Sequence, residues 1–316
     1  MNVGSVEEGQ QLERLGYLAI DLGPSRLAVG IVDTDGEVVV RDRVATPHRN
    51  VWPAMTQLVG RVLAANPSGV TPIACGVTCP GPIDRFTGTM KPVGLPTWSG
   101  FPVQQELRET TGLTVEIDTA GRGLALAELW LGDPERQEFA TLVCGDEVDG
   151  ALVVGGRLMQ GLTANLGQFG HIIVEPNGVE CWCGASGCLT MYAGARGIHA
   201  STNRELRRTP AAIVERTGIM VGRACATLAA LLDVGDIVLG GVVPSVLGEA
   251  FFDAVGKEFD QRSRSAHLAT VRVRGVESGR IGPLVAAAAV ARVAANSFGR
   301  SESGSVRCQP TTRDPC

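Results

Sequence analysis

Apolar runs separated by glycine turns predict a chain that alternates between strands and helices. The first part reads as a β-meander. Apolar runs at 17–23 and 27–33 are separated by a tight turn, and a third run, EVVVRDRVATP, follows Asp35-Gly36. An Asp-Gly pair between two such runs indicates a hairpin with a type I′ turn. Three consecutive strands joined by short turns are therefore expected at the start of the fold.

Helical and strand patterns alternate along the rest of the chain. The apolar spacing over 51–65 predicts a helix with Leu58, Val62 and Leu63 on one face. The later elements, in chain order, are a buried strand running into a Pro-Gly turn within 73–84, a strand at 139–145, a hairpin around Gly155-Gly156, helical sequence over 192–232 with a cap near Thr209-Pro210, a strand, Gly-Gly turn and helix over 236–259, a last strand VRVRGVE, and a small-residue helix IGPLVAAAAVARVAA.

Composition limits the class of protein. The chain has 316 residues, of which 44% are hydrophobic, so it can form two domains or one large one. Lys and Arg number 28 against 33 Asp and Glu, and no basic block occurs, so charge does not indicate a nucleic-acid surface. Residues 1–16 and 297–316 are polar and are expected to be disordered tails. The sequence indicates neither a signal peptide nor a membrane span.

A candidate metal site lies in the stretch from Asn165 to Thr190. His171, Cys181, Cys183 and Cys188 offer one imidazole and three thiolates, which is the ligand set of a closed structural zinc site. The alternative is three unrelated buried cysteines near a loop histidine. Four further cysteines lie in apolar or glycine-rich segments, as buried thiols do: Cys75, Cys79, Cys144 and Cys225. A reducing cytoplasm is the simplest setting for these thiols, and Cys308 and Cys316 in the tail are expected to be free.

The same stretch resembles a known family. GQFGHIIVEPNG followed by CWCGASGCL resembles the signature of the ROK family, which contains repressors and sugar kinases. The likeness extends from Leu18 to about Ala295. It implies an α/β, two-lobed actin-like ATPase (ribonuclease H-like) fold, in which each lobe is a mixed sheet with flanking helices.

The resemblance also implies an organisation and a set of partners. The N-terminal lobe is expected over 17–119, with the C-terminal helix 281–296 packing back on it, and the C-terminal lobe with the zinc-binding loop over 120–280. ROK repressors carry a winged helix-turn-helix ahead of the sugar-binding part, and residues 1–16 are too few to form one. Direct DNA binding is therefore not expected, whereas a sugar ligand and a homodimer are.

Nucleotide contacts are retained only in part. In the family's kinases the first turn reads DxGGTK and approaches the ATP phosphates; Asp21, Gly23 and Ser25 fit that pattern, whereas Pro24 removes an N–H donor. The Gly240-Gly241 turn resembles the family's LGGG, which lies near adenine. The family's phosphate loop GTGIGGG is replaced here by a loop with three acids: Asp146, Glu147 and Asp149. This acidic loop reads either as a divalent-cation site or as a solvated turn, and neither helps ATP with magnesium to bind in the family's usual way.

The catalytic base of the family is not matched. The family reads VENDANAAALAE at this point, and this chain aligns with it without a gap. Ala120 takes the position of the Asp that accepts the sugar hydroxyl proton. Thr119 takes the position of the preceding Asn, and Arg122 takes the position of the second Asn. Asp118 precedes Ala120, the aligned position of the base, by two residues, which is about 6.6 Å along a strand. Asp118 can therefore serve as the base only if the site is rearranged.

The sugar contacts are also altered. Gly94 takes the position of a sugar-binding Asn, and two sugar-binding glutamates become Gln168 and Thr190. Gln168 and Thr119 can still hydrogen-bond a hydroxyl, and His171 can serve as a zinc ligand or as a sugar contact. Three hypotheses follow: a non-catalytic sugar-sensing or regulatory protein, an active sugar kinase that uses Asp118, and a zinc-stabilised scaffold that binds neither sugar nor ATP.

Overall fold

The computed structural model describes residues 14–66, 69–92, 98–276 and 281–301. The strands are β1 (Leu15–Leu22), β2 (Arg26–Asp33), β3 (Val38–Ala45), β4 (Thr71–Cys79), β5 (Ile83–Asp84), β6 (Thr89–Met90), β7 (Val115–Thr119), β8 (Phe139–Cys144), β9 (Val148–Val154), β10 (Arg157–Leu158), β11 (Asp236–Gly240) and β12 (Arg272–Gly275). The α-helices are α1 (Val51–Ala64), α2 (Val103–Thr111), α3 (Ala120–Leu131), α4 (Thr190–Ala193), α5 (Ala195–Thr202), α6 (Ala211–Leu232), α7 (Val242–Leu247), α8 (Glu249–Arg262) and α9 (Pro283–Ser301).

The first sheet has helices on both faces because its strands are apolar on both faces. The strand order is β3-β2-β1-β4-β7, with β1, β4 and β7 parallel and β2 antiparallel to its neighbours. Successive side chains of a strand point to opposite faces. Leu18 and Ile20 of β1 pack with α1 in one core, whereas Tyr17 and Ala19 pack with α9 in another.

The second sheet repeats this arrangement. Its order is β10-β9-β8-β11-β12, with β8, β11 and β12 parallel. Leu142 and Ile237 on one face share a core with α6 and α8, and Phe139 and Val238 on the other face share one with Ala125 of α3. Each sheet is therefore the centre of one lobe. No helix within the described ranges is both long and apolar enough to cross a membrane.

Several local predictions are wrong. The turn before β3 is not type I′, because only Gly36 has a positive φ (88°) and Asp35 does not. Instead the Asp33 carboxylate accepts the N–H groups of Asp35 and Glu37 and shapes the turn. In α1, Leu58 and Val62 are buried, but Leu63 is 39% exposed, because it lies beside the apolar face rather than on it.

Some element boundaries also differ from the predictions. The helical sequence predicted over 192–232 is broken by the turn around Asn203, whose φ is 51°, so that α5 and α6 are separate helices. β1 begins at Leu15, inside the predicted N-terminal tail, and α9 continues to Ser301, inside the predicted C-terminal tail. Residues 1–13 and 302–316, with Cys308 and Cys316, lie outside the described residues, as does Gly94.

The last helix completes the first lobe through close backbone contact. α9 lies across β4 at Gly76, where an added Cβ would stand 2.0 Å from the Ala287 carbonyl oxygen and 2.4 Å from the Ala291 nitrogen. Both atoms belong to the helix backbone, which cannot move away by a simple side-chain rotation. Glycine at 76 therefore sets the distance between helix and sheet.

We predict that Gly76→Ala lowers the free energy of unfolding by about 1–3 kcal/mol or more, because the new methyl group overpacks this contact. Gly60→Ala is the matched control, since nothing lies within 4 Å of the Cβ it would add on α1. That control should be neutral or stabilising by up to about 1 kcal/mol, because alanine favours a helix. Chemical denaturation measures both variants, and equal stability would contradict the packing described here.

Candidate functional site

A cleft forms where the carboxyl ends of strands from both sheets converge. Five strand ends meet there, those of β1, β4, β7, β8 and β11, and open α/β sheets place ligand sites at such ends. The cleft has two adjoining recesses with volumes of about 100 and 390 Å³. Asp21, Gly23 and Ala120 line both of them, so the two recesses form one continuous site.

The structure brings most of the predicted ligand residues into this cleft. The smaller recess contains Gln168, His171 and Thr190 beside Ala120. The larger recess contains the predicted nucleotide residues Ser25, Gly240 and Gly241. Thr119 is buried at the end of β7. The Thr119 hydroxyl hydrogen-bonds to the Asp149 carboxyl group, which lines the smaller recess. Thr119 is therefore connected to the recess through Asp149.

Asp118 is held in an ion-pair network. Its Oδ1 atom accepts a 2.7 Å hydrogen bond from Arg122 Nε, and its Oδ2 atom accepts one from Arg85 at 2.5 Å. Arg122 is 1% exposed and also donates to the carbonyl of Met159 and to the side chain of Gln160. Both carboxylate oxygens of Asp118 are thus engaged by guanidinium groups, which is the arrangement of a structural pair.

The acidic loop is bound by protein groups rather than by solvent. Asp146 Oδ2 accepts hydrogen bonds from the backbone N–H of Ser25 at 3.0 Å and from its hydroxyl at 2.7 Å. Glu147 forms an ion pair with Arg196 of α5. The loop therefore connects the β1–β2 turn of the first lobe with a helix of the second.

Asp149 was predicted only as part of the acidic loop, and its position in the smaller recess was not predicted. It follows Val148 at the start of β9 and lines the smaller recess, and its Oδ1 atom accepts the N–H of Gly121 at 2.5 Å. The pKa of Asp149 is raised to about 7: burial is the largest cause, the Gly121 and Thr119 hydrogen bonds lower the pKa, and the nearby Asp118 and Glu147 carboxyl groups raise it. The signal in the sequence was a pair of differences from the family pattern: no carboxyl group at Ala120, and an added carboxyl group at Asp149.

Asp21 adds a second buried carboxyl group to the cleft. It accepts a 3.0 Å hydrogen bond from the Thr78 hydroxyl. Burial raises the pKa of Asp21, the Thr78 hydrogen bond and Arg26 oppose this, and the neighbouring Asp146 raises the pKa again. Asp21 and Asp146 together make the end of the larger recess acidic, although Arg26 also lines it.

The four predicted ligand residues form a possible metal-binding cluster. One ligand atom from each of His171, Cys181, Cys183 and Cys188 lies within 4.8 Å of the others. The Cys183 and Cys188 sulfurs are 3.8 Å apart, and the Cys181 sulfur is 4.0 Å from His171 Nδ1. Zinc–sulfur bonds of about 2.3 Å in a tetrahedron place two sulfurs about 3.8 Å apart. The cluster is therefore already shaped for a tetrahedral ion.

The cluster also touches the cleft. His171 and Cys181 line the smaller recess together with Trp182. The Arg196 guanidinium lies 4.3 Å above the centre of the Trp182 ring and also pairs with Glu147. The loop that carries the possible metal-binding cluster and the acidic loop are thus both in contact with Arg196.

Comparison with known proteins identifies the relatives of this chain. A profile of the ROK family matches residues 17–293. The glucokinase of Thermotoga maritima is 29% identical over 189 residues, which are 59% of this chain and 60% of that enzyme. The chain thus spans about 60% of the length of that glucokinase. The N-acetylmannosamine kinase of Haemophilus influenzae is 27% identical over 257 residues, which are 76% of this chain and 84% of that enzyme.

Solved structures confirm the predicted fold. The ROK hexokinase of Thermus thermophilus superposes with a TM-score of 0.72 and 27% identity, covering 90% of this chain and all of that one (100%). A Streptomyces griseus ROK glucokinase, solved with glucose and AMPPNP, superposes with a TM-score of 0.76 and 22% identity over 88% of this chain and 99% of that one. The two lobes therefore form the actin-like ATPase fold.

We predict that Arg122→Met lowers the free energy of unfolding by about 3–5 kcal/mol, because it leaves the buried Asp118 carboxylate without its inner guanidinium partner. Arg61→Met is the matched control, since Arg61 pairs with Asp42 at the surface, where the side chains are 47% and 39% exposed. Solvent screens that exposed pair, so its loss should change the free energy of unfolding far less than the loss of Arg122 does. Equal losses in the two variants, measured by chemical denaturation, would contradict a structural role for the Asp118–Arg122 pair.

Proposed function

The chain belongs to the ROK family, and from this premise we propose that it binds a sugar in the cleft but does not phosphorylate it in the manner of the family's kinases. Its relatives include glucokinases and N-acetylmannosamine kinases. A glucose-type or N-acetylhexosamine-type sugar is therefore the ligand we propose. A sensing or regulatory role follows for a protein that binds such a sugar without turnover.

The contact between Asp146 and Ser25 carries this proposal. The Ser25 N–H and hydroxyl belong to the turn that resembles the phosphate-binding turn of the kinases, and both donate to the Asp146 carboxylate. An incoming phosphate would have to displace this carboxylate and then lie beside it. Two unit charges 4 Å apart repel by about 1 kcal/mol in water and by about 4 kcal/mol at an effective dielectric of 20. The protein's own carboxylate thus occupies the donors that a phosphate would need.

The position of the catalytic base supports the same conclusion. Ala120 has no group that can accept a proton, and both oxygens of Asp118 are engaged by Arg85 and Arg122. An active kinase that uses Asp118, the alternative from sequence, would have to break both ion pairs before each proton transfer. A buried ion pair that loses one partner costs about 3–5 kcal/mol, which would add to the reaction barrier.

The sugar contacts that we propose are those of the smaller recess. Gln168 offers an amide, His171 an imidazole and Thr190 a hydroxyl, although the Thr190 hydroxyl already accepts the N–H of Val148 at 3.0 Å. Neutral groups of this kind suit the hydroxyl groups of a sugar. A scaffold that binds neither sugar nor nucleotide is the remaining alternative, and it would leave these polar groups without a ligand.

We predict that calorimetric titration without ATP detects binding of at least one of glucose, N-acetylglucosamine and N-acetylmannosamine. A coupled ADP-release assay with the same sugars should show no sugar-dependent turnover. Asp146→Ser should bind ATP with magnesium at least about fivefold more tightly than the wild type, because removing one repulsive charge at 4 Å gains about 1–4 kcal/mol.

Asp260→Ser on α8 is the matched control for the nucleotide measurement, because it removes an exposed carboxylate from a helix that does not line the cleft. Its affinity for ATP should equal that of the wild type. Sugar-dependent ADP release by the wild type would contradict the proposed loss of transfer. Absence of binding for all three sugars would instead favour the scaffold.

We further propose that the cluster of His171, Cys181, Cys183 and Cys188 holds a structural zinc ion. Burial raises the pKa of the Cys181 and Cys188 thiols, so a cation is needed to keep them as thiolates. Zinc prefers such a set of one imidazole and three thiolates. Thiolate ligands also suit a reducing compartment, and we propose the cytoplasm as the location and a homodimer as the assembly.

Metal analysis of the purified protein should find about one zinc per chain. Cys183→Ser should abolish binding and lower the melting temperature, because one of four ligands is lost and the loop is no longer fixed. Cys75→Ala removes a thiol of β4 outside the cluster and should retain the zinc. Metal-free wild-type protein whose melting temperature does not respond to added zinc would overturn the site.

A further inference from the structure

The cleft contains a carboxyl group without a cationic partner. Asp149 forms no ion pair with any Arg, Lys or His among the residues that the structure describes, in contrast to Asp118 and Glu147. We propose that Asp149 is the group that binds a hydroxyl of the sugar, and that it fixes which sugar the recess accepts. This inference rests on the sugar binding proposed above and assigns one residue to it.

The position of Asp149 suits that role. Its Oδ1 atom accepts the Gly121 N–H in the first turn of α3, one residue from Ala120 in the wall of the smaller recess. The N-terminus of a helix stabilises a negative charge. The carboxylate is thereby held beside a methyl group that leaves room for a ligand, and it faces the same recess as Gln168 and His171.

Hydrogen-bonding capacity remains for a ligand. A carboxylate has about four lone-pair sites, and the protein contacts of Asp149 come from the Gly121 N–H and the Thr119 hydroxyl. A buried charge that lacks a partner is costly, and this cost falls when a ligand donates a hydrogen bond to it. A hydroxyl group that reaches this oxygen would therefore bind more strongly than one that reaches only the Gln168 amide.

The charges around the recess select the class of ligand. Asp21, Glu147 and Asp149 line it, so an anion is repelled. A metal ion is not favoured either, since the one group of three or more potential ligands in the described part of the chain is the His171 cluster, which does not include Asp149. A neutral polyhydroxyl compound satisfies the remaining acceptors without bringing charge into the recess.

The titration of Asp149 gives a distinctive signature. Burial is the largest cause that raises the pKa of Asp149, and the Asp118 and Glu147 carboxyl groups raise it too. The thiols of Cys79 and Cys144 stay neutral, because burial raises their pKa strongly. Asp21 and Glu147 line the same recess, and burial raises the pKa of each of these carboxyl groups as well. Because the pKa of Asp149 is raised to about 7, this group is expected to gain negative charge across neutral pH.

The experiment is calorimetry on the metal-loaded full chain with the tightest-binding of the three sugars, in the absence of ATP. Asp149→Asn should bind it at least about tenfold more weakly, because the amide keeps the shape but not the charge. Asp260→Asn is the matched control and should bind as the wild type does. The affinity of the wild type should rise between pH 6.5 and 8, as Asp149 ionises, and that of Asp149→Asn should stay constant.

The outcomes separate this inference from the function on which it rests. If the wild type binds none of the sugars, the proposed function is wrong and the assignment of Asp149 falls with it. If the wild type binds a sugar, and Asp149→Asn binds it equally tightly, the assignment alone is wrong. Sugar-dependent ADP release that disappears in Asp149→Asn would support the sugar contact and contradict the loss of transfer.

The comparison across pH is made on folded protein. The assignment is overturned if a folded Asp149→Asn variant binds the sugar as tightly as the wild type does throughout pH 6.5 to 8. Melting curves of the Asp149→Asn and Asp260→Asn variants show whether the substitution has disturbed the fold.

Discussion

The turn between β8 and β9 connects the parts of the cleft, because each of its three carboxyl groups is bound by a different element. Asp146 binds the β1–β2 turn, Glu147 binds Arg196 of α5, and Asp149 binds the first turn of α3. Acidic side chains so close in sequence repel one another unless each has its own partner. Residues 146–149 therefore connect the β1–β2 turn, α5 and α3 to the second sheet.

The differences from the family pattern within the cleft concern its charged groups. A carboxyl group absent at Ala120 is matched by one at Asp149, and a guanidinium at Arg122 neutralises Asp118, the nearest alternative acid. The fold and the strand ends that form the cleft are those of the ROK family, and we propose that the charges within the cleft are arranged differently from those of the family's kinases.

Local patterns predict the framework of this protein well, and tertiary contacts determine the rest. Continuous apolar runs define β1 and β8, and the spacing of His171 and the three cysteines defines the possible metal-binding cluster. The partner of Asp149 was not predictable from local sequence, because the Gly121 N–H reaches it only through the packing of α3 on β9. The turn at Gly36 was misjudged for a similar reason, since the Asp33 side chain decides its shape.

The packing of α9 on the first sheet has a consequence for how the chain folds during synthesis. Tyr17 and Ala19 of β1 share their core with Ala287 and Ala288, so this core cannot form until α9 has been synthesised. Folding of domains usually begins from the N-terminus during translation. Here one apolar face of β1 has no covering helix while the strands and helices of the second sheet are being made.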